Sequence, residues 1–240
     1  MLDYIRIACA VPAVKVGDVK KNTEDICAYM AKADAQNVDI LVFPELAMTG
    51  CTCGDLFWQD TLWNAVKAGL QKIAEQAKAY PKLNVVVGLP VRYERKLYNC
   101  AAFLSGGKLV GMVPKTYLAQ AESRWFSSAD EVREPVMGWD VLDFDIFGNY
   151  SFGAKGIFEI GDNTTVGLEL GERGANPDHR EYLPRILLRQ RQLFFRVHIP
   201  DRHTPAEAGG HHHHDRDPGG LHLRGYAARL RAVQQAGLQQ

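Results

Sequence analysis

All eight histidines of this 240-residue chain lie beyond Leu170, and every lysine, cysteine, methionine, tryptophan and serine lies before it. A break of that kind constrains folding, because the core must come from the first segment. That segment has the size of one ordinary domain. The hydrophobic content of 46% is that of a globular protein rather than a disordered one. The 28 basic and 28 acidic residues cancel, but between unlike parts. Residues 171–240 hold 11 Arg against 7 acidic residues (11 − 7 = +4), and residues 1–170 hold 17 basic against 21 acidic (17 − 21 = −4). The net balance gives no long-range pull toward nucleic acid or an anionic membrane. No apolar run approaches the ~20 residues of a membrane span.

The first segment alternates short apolar runs with amphipathic stretches. Tyr4–Val11 is β-compatible. Val19–Gln36 carries Ile26, Met30 and Ala33 at helical spacing, and Phe57–Tyr80 carries Leu62, Val66, Leu70, Ile73 and Ala77. Asp39–Phe43 and Leu83–Leu89 read as buried strands, the second closed by Pro90. Asn99–Leu104 and Leu109–Val113 flank Ser105-Gly106-Gly107-Lys108 and read as a hairpin. Ile157–Ile160 and Thr164–Leu170 are two further strands. Helices early and strands late predict an α/β protein with more than one sheet layer.

Five scattered cysteines do not suggest a disulfide framework. The N-terminus lacks a basic n-region and reads as a strand, so the expected compartment is the cytoplasm. Cys51 and Cys53 lack the second ligand pair of a zinc site.

Three positions attract chemistry. Glu45 follows a buried strand in VFPEL, where burial would raise its pKa toward that of a useful general base. Lys115, in GMVPKTYL, also ends an apolar strand and could hold a developing oxyanion. Taken alone, each reads more readily as a solvated loop residue. The third is the strand TTVGLELGE, residues 164–172.

Together and in this order, FPEL, PK-x-YL and TTVGLELGE resemble the nitrilase, or carbon–nitrogen hydrolase, superfamily. Members use a Glu–Lys–Cys triad whose Cys follows a strand reading roughly V-G-x-E-I-C-E-D. The match puts Glu45 at the base, Lys115 at the oxyanion-side lysine and Gly171 at the nucleophile. Val166, Gly167, Glu169 and Glu172 fit the third motif. MTGCTCGDLFWQ, residues 48–59, and SRWFS, residues 123–127, resemble the N-terminal glutaminase domain of glutamine-dependent NAD synthetases. The resemblance covers about residues 1–172. It implies a nitrilase-like α-β-β-α four-layer sandwich, with Tyr117, Glu122 and Glu172 as substrate contacts. It also implies glutamine as the substrate, a homo-oligomer, and no metal or cofactor in this domain. It places ATP and Mg in a synthetase domain that is expected to be absent from this chain.

The departures are specific. Cys51 stands where the family has Tyr, and the loop from Tyr117-Leu118 to Arg124 is several residues short. Glu122 is only a stand-in for the family's second Glu. Gly171 has no side chain, so the thioester route lacks its nucleophile. Residues 173–240 form an atypical tail, explained either by a slipped reading frame near Gly174 or by a genuine unrelated segment. The expectation is therefore a defective or truncated glutaminase module. The alternatives are a catalytically dead binding or scaffold protein, or a metal-binding module built on His211–His214.

Overall fold

In the computed structural model, the alternation of apolar runs and amphipathic stretches becomes a helix layer on one face of a large sheet. A second sheet covers the other face. The structure describes residues 5–132, 149–154, 156–160 and 164–171, with the backbone of three more strands at 136–137, 191–197 and 224–226. In chain order the elements begin with β1 (Ile7–Cys9), α1 (Val19–Ala35), β2 (Ile40–Val42), a 3-10 helix (Gly54–Trp58) and α2 (Asp60–Ala77). Then come β3 (Asn84–Tyr93), β4 (Lys96–Ser105), β5 (Lys108–Pro114) and two short 3-10 turns (Glu122–Arg124 and Ala129–Glu131). The remaining strands are β6 (Val136–Met137), β7 (Ser151–Phe152), β8 (Ile157–Ile160), β9 (Thr164–Leu170), β10 (Arg191–Val197) and β11 (Arg224–Tyr226). The larger sheet has the order β11-β1-β2-β3-β4-β5-β7-β6 and the smaller β10-β9-β8.

β1, β2 and β3 run parallel, joined through α1 and α2 as parallel neighbours require. Asp18 caps α1, its carboxylate accepting the Lys21 N–H at 3.1 Å. The buried positions of α1, including Val19, Ile26, Met30 and Ala33, recur every three to four residues or multiples of them and so share one face. Leu62, Val66, Leu70, Ile73 and Ala77 do the same on α2. Both faces join a core with Leu41, Val85, Val87, Leu89, Cys100, Ala102 and Leu104 of the sheet. The intervening residues point the other way: Ile40, Val42, Val86, Ala101, Phe103 and Val113 meet Phe158, Val166, Leu168 and Leu170 of the smaller sheet. Phe103 and Phe158 stack across that gap, with centroids 4.6 Å apart. Burial on both faces explains why DILVF and LNVVVGL read as continuous apolar runs rather than as alternation.

Two local expectations change, and one turn is new. The stretch from Phe57 divides into the 3-10 helix ending at Trp58 and α2 starting at Asp60. β3 does not stop at Pro90 but runs to Tyr93. Its even-numbered residues bond toward β2, as when Asn84 N donates to Asp39 O at 2.9 Å. The donor that Pro90 lacks therefore faces the side beyond the end of β2, and the ladder to β4 loses nothing. The β3–β4 turn is made by Glu94 and Arg95, with φ of 46° and 61°, the two positive values of a type I′ hairpin turn. Glu-Arg carries no turn signal in sequence. The described residues supply three of the four layers expected: helices, sheet and sheet. Of residues 173–240, the structure describes the two strand backbones, β10 beside β9 and β11 beside β1.

Candidate active site

At one end of the gap between the sheets, the apolar alternation gives way to polar side chains. On β4, Phe103 and Ala101 face the gap, and two residues earlier the same face carries Asn99. On β5, Val113 faces the gap, and two residues later comes Lys115. On β9, Val166, Leu168 and Leu170 face it, and Gly171 follows directly. The period of two thus delivers Asn99 and Lys115 to one place, and Gly171 joins them where β9 ends.

The main chain of Lys115 is held on both sides. Its N–H donates to Asn99 O at 2.7 Å, and its carbonyl accepts from Ala129 N at 3.0 Å. Ser128 Oγ donates to Thr116 O at 2.7 Å. Ser128 and Glu131 close a capping box on their 3-10 turn, and Glu131 pairs with Lys96 of β4 at 2.8 Å. The segment that follows the lysine therefore locks it onto β4.

Glu45 enters on a tight loop after β2. Leu46 takes a positive φ of 51°, and Met48 N donates to Gly88 O at 3.2 Å. The loop lies directly on β3 at Gly88. A Cβ there would stand 2.3 Å from Pro44 O, 2.5 Å from Leu46 N and 2.7 Å from Glu45 Cα. Only glycine admits the backbone that carries Glu45.

The side chains converge. Lys115 Nζ donates to Glu45 Oε2 at 2.9 Å and to Glu122, 3.0 Å from Oε1 and 2.8 Å from Oε2. Asn99 Nδ2 donates to the same Glu45 Oε2 at 2.7 Å. The Glu45 and Lys115 side chains are 1% and 6% exposed. Burial pushes the Glu45 carboxyl above its ordinary value, against the opposing pull of the Lys115 charge. Burial also disfavours the Lys115 ammonium, but hydrogen bonds and charge from Glu122 and Glu45 outweigh it and hold its pKa above that of an ordinary lysine.

Gly171 is buried beside this cluster. A Cβ on it would lie 3.5 Å from Lys115 Cε and 3.7 Å from Tyr117 O, ordinary contact distances. Its φ of 126° is a conformation that favours glycine. Space for a side chain exists, then, while the backbone conformation disfavours one.

The structure thus gathers Glu45, Lys115 and Glu122 and sets Gly171 and the Tyr117 carbonyl next to them. Glu172 and His211–His214 lie outside the described residues. The five cysteines are free; Cys51 and Cys9 are exposed, and Cys53 and Cys100 are buried. Among the described residues, no group of three or more His, Cys, Asp or Glu side chains is placed to hold a metal ion. No helix among them is long and apolar enough to cross a membrane. Sequence reasoning missed Asn99 and Gly88. The available signal for Asn99 was a lone amide inside the apolar strand LYNCAAF, placed opposite Lys115 only once the hairpin register is known.

Residues 6–161 match the carbon–nitrogen hydrolase family. Over 116 residues the chain is 33% identical to a glutamine-dependent NAD(+) synthetase of Mycobacterium bovis, a match covering 48% of this chain and 17% of that protein. Over 157 residues it is 29% identical to a probable nitrilase of Schizosaccharomyces pombe, covering 63% of this chain and 53% of that one. A crystal structure of a glutamine-dependent NAD(+) synthetase from Cytophaga hutchinsonii superposes with a TM-score of 0.60 at 28% identity, covering 70% of this chain and 28% of the other. The fold is nitrilase-like α/β, and each match spans less than two thirds of the relative's length.

Proposed function

The chain belongs to the carbon–nitrogen hydrolase family, and from that premise we propose that the cluster is a glutaminase-type amide site that lacks its nucleophile. The family role would be hydrolysis of the glutamine side-chain amide, with the ammonia consumed in ATP-dependent NAD synthesis. The observation that carries this reading is the buried Glu45–Lys115 pair, joined by the half-buried Glu122, with the Cβ direction of Gly171 aimed at Lys115 from 3.5 Å.

Each residue then has a task. With a thiol at position 171, Glu45 would take its proton, and the sulfur would attack the carboxamide carbon. Two of the three Lys115 Nζ donors serve carboxylates, which leaves one for the oxyanion. The C–N bond breaks as the proton passes from Glu45 to the departing ammonia, and water then releases glutamate from the thioester. Tyr117, Glu122 and Glu172 would contact the substrate. The reaction calls for no metal or cofactor at this site; ATP and Mg belong with a synthetase partner. The same reading makes the protein a cytoplasmic homo-oligomer that binds neither nucleic acid nor membrane.

In the chain as it stands, no atom at Gly171 can attack. Loss of a nucleophile costs about 10⁶ in turnover in comparable triads. A second reading, a nitrilase-fold binding module without turnover, is favoured by the same observation, since the charged cluster assembles without residue 171.

Ammonia release from glutamine, measured by a coupled assay, separates the two. The unmodified chain should release none measurably, and Gly171→Cys should release some. Silence from a folded Gly171→Cys chain that still binds glutamine supports the binding module. Robust release by the unmodified chain would sink both readings and point first to Cys53 and Cys51.

A further inference from the structure

The geometry points to Asn99 as a positioning residue for Glu45: by sharing one carboxylate oxygen with Lys115, its amide fixes which oxygen of Glu45 remains to take a proton. The inference rests on the reading of Glu45 as the base of this site.

Asn99 Nδ2 donates to Glu45 Oε2 at 2.7 Å, and Lys115 Nζ donates to the same oxygen at 2.9 Å. Turning the carboxylate out of this orientation breaks both bonds, and a half-turn only exchanges two equivalent oxygens between the same two positions. An incoming proton is therefore directed to Oε1, the oxygen on which neither donor falls. Asn99 also accepts the Lys115 backbone N–H on its carbonyl at 2.7 Å. One residue of β4 thus sets the main chain of the lysine and the side chain of the glutamate.

A second observation separates this from ordinary packing. Asn99 is fully buried, and its Oδ1 has no hydrogen-bond partner among the described residues. A buried amide with one end unpaired calls for an explanation. Flipping the amide would set Oδ1 against Oε2, acceptor against acceptor. The ionised carboxylate selects the orientation that leaves Oδ1 alone. An apolar side chain of similar size would fill the volume at no such cost, so the amide is explained by the bond it gives to Glu45. The charged groups acting on Glu45 are Lys115 from the end of β5 and Glu122 from the 3-10 turn. Asn99 is the uncharged donor among them.

The test is a carbon-13 NMR titration of the Glu45 carboxyl in the full chain, with the resonance assigned by its loss in Glu45→Gln. Asn99→Leu should raise the Glu45 midpoint by about one pH unit, the effect of removing one donor from the charged form. Asn99→Asp keeps the shape and replaces the donor with an acceptor, so it should raise the midpoint further and serves if the leucine variant does not fold. An unchanged midpoint in a folded variant overturns the inference, whatever Gly171→Cys does. A shifted midpoint beside a Gly171→Cys chain that neither binds nor hydrolyses glutamine keeps the Asn99–Glu45 coupling and removes the base role.

Discussion

Lys115 donates to Oε2 of Glu45 at 2.9 Å across 70 residues of sequence, with both side chains buried. Glu122 closes on the same ammonium, so the cluster holds one positive and two negative groups. That count makes the two ends of the pair unequal. Removing the lysine leaves two carboxylates facing each other, whereas removing Glu45 leaves one balanced pair.

Lys115→Met should therefore destabilise the fold strongly, by about 3–5 kcal/mol, as when one partner of a buried pair is deleted. The loss should shrink in acid, where the Glu45 carboxylate, its pKa raised by burial, takes up a proton. Urea unfolding at neutral and acid pH reads both effects. An unfolding midpoint that does not move would show that the charges are not coupled.

Glu45→Gln should act in the opposite direction. The folded-state pKa of Glu45 lies above its ordinary 4.5, so the folded chain binds its proton more tightly than the unfolded one. The stability this contributes is present below the ordinary value and is lost as pH rises through the raised one. Glu45→Gln should thus match the parent in acid and melt higher at neutral pH. Thermal melts across that range decide it, and a variant that melts lower at neutral pH contradicts the assignment.

Gly88→Ala tests the support of the Glu45 loop. The added Cβ meets three backbone atoms, 2.3–2.7 Å away, and backbone cannot step aside as a side-chain end can. The expected cost is about 1–3 kcal/mol, as for other overpacked sites. The Glu45 carboxyl resonance should move as well. A parent-like melt with an unmoved resonance would mean that the loop is not seated as described.

At Gly171 the obstacle is conformation rather than space. With φ at 126° and the nearest atoms 3.5 Å and 3.7 Å from a Cβ, Gly171→Ala and Gly171→Cys should lose similar stability, about 1–3 kcal/mol. Paired melts of the two variants check this. A cysteine variant far below the alanine one would mean that the thiol, not the backbone, is the misfit.

What the sequence made legible was what lies along the chain. Apolar runs marked β2, β3 and β9, helical periodicity marked α1 and α2, and three ordered motifs marked Glu45, Lys115 and Gly171. What it concealed depends on pairing. The role of Asn99 is set by its register opposite Lys115 across a β4–β5 ladder whose register shifts between Phe103 and Leu104, and one-residue slips of that kind cannot be counted from a single strand. Pro90 reads as a stop because the sequence does not show which edge of β3 is unpaired there. Gly88 looks like any strand glycine until the loop from Pro44 is laid on it. The contact of Glu122 with Lys115 depends on the 3-10 turn that sets it beside the end of β5.

The partners of the Lys115 ammonium are Glu45 and Glu122, and neither bond passes through residue 171. A side chain at 171 would therefore be a passenger on a frame that holds itself together. A chain can carry glycine there and still fold, keep its buried charges and pass every test of shape. In this architecture a well-formed site testifies to ancestry, and competence must be established one side chain at a time.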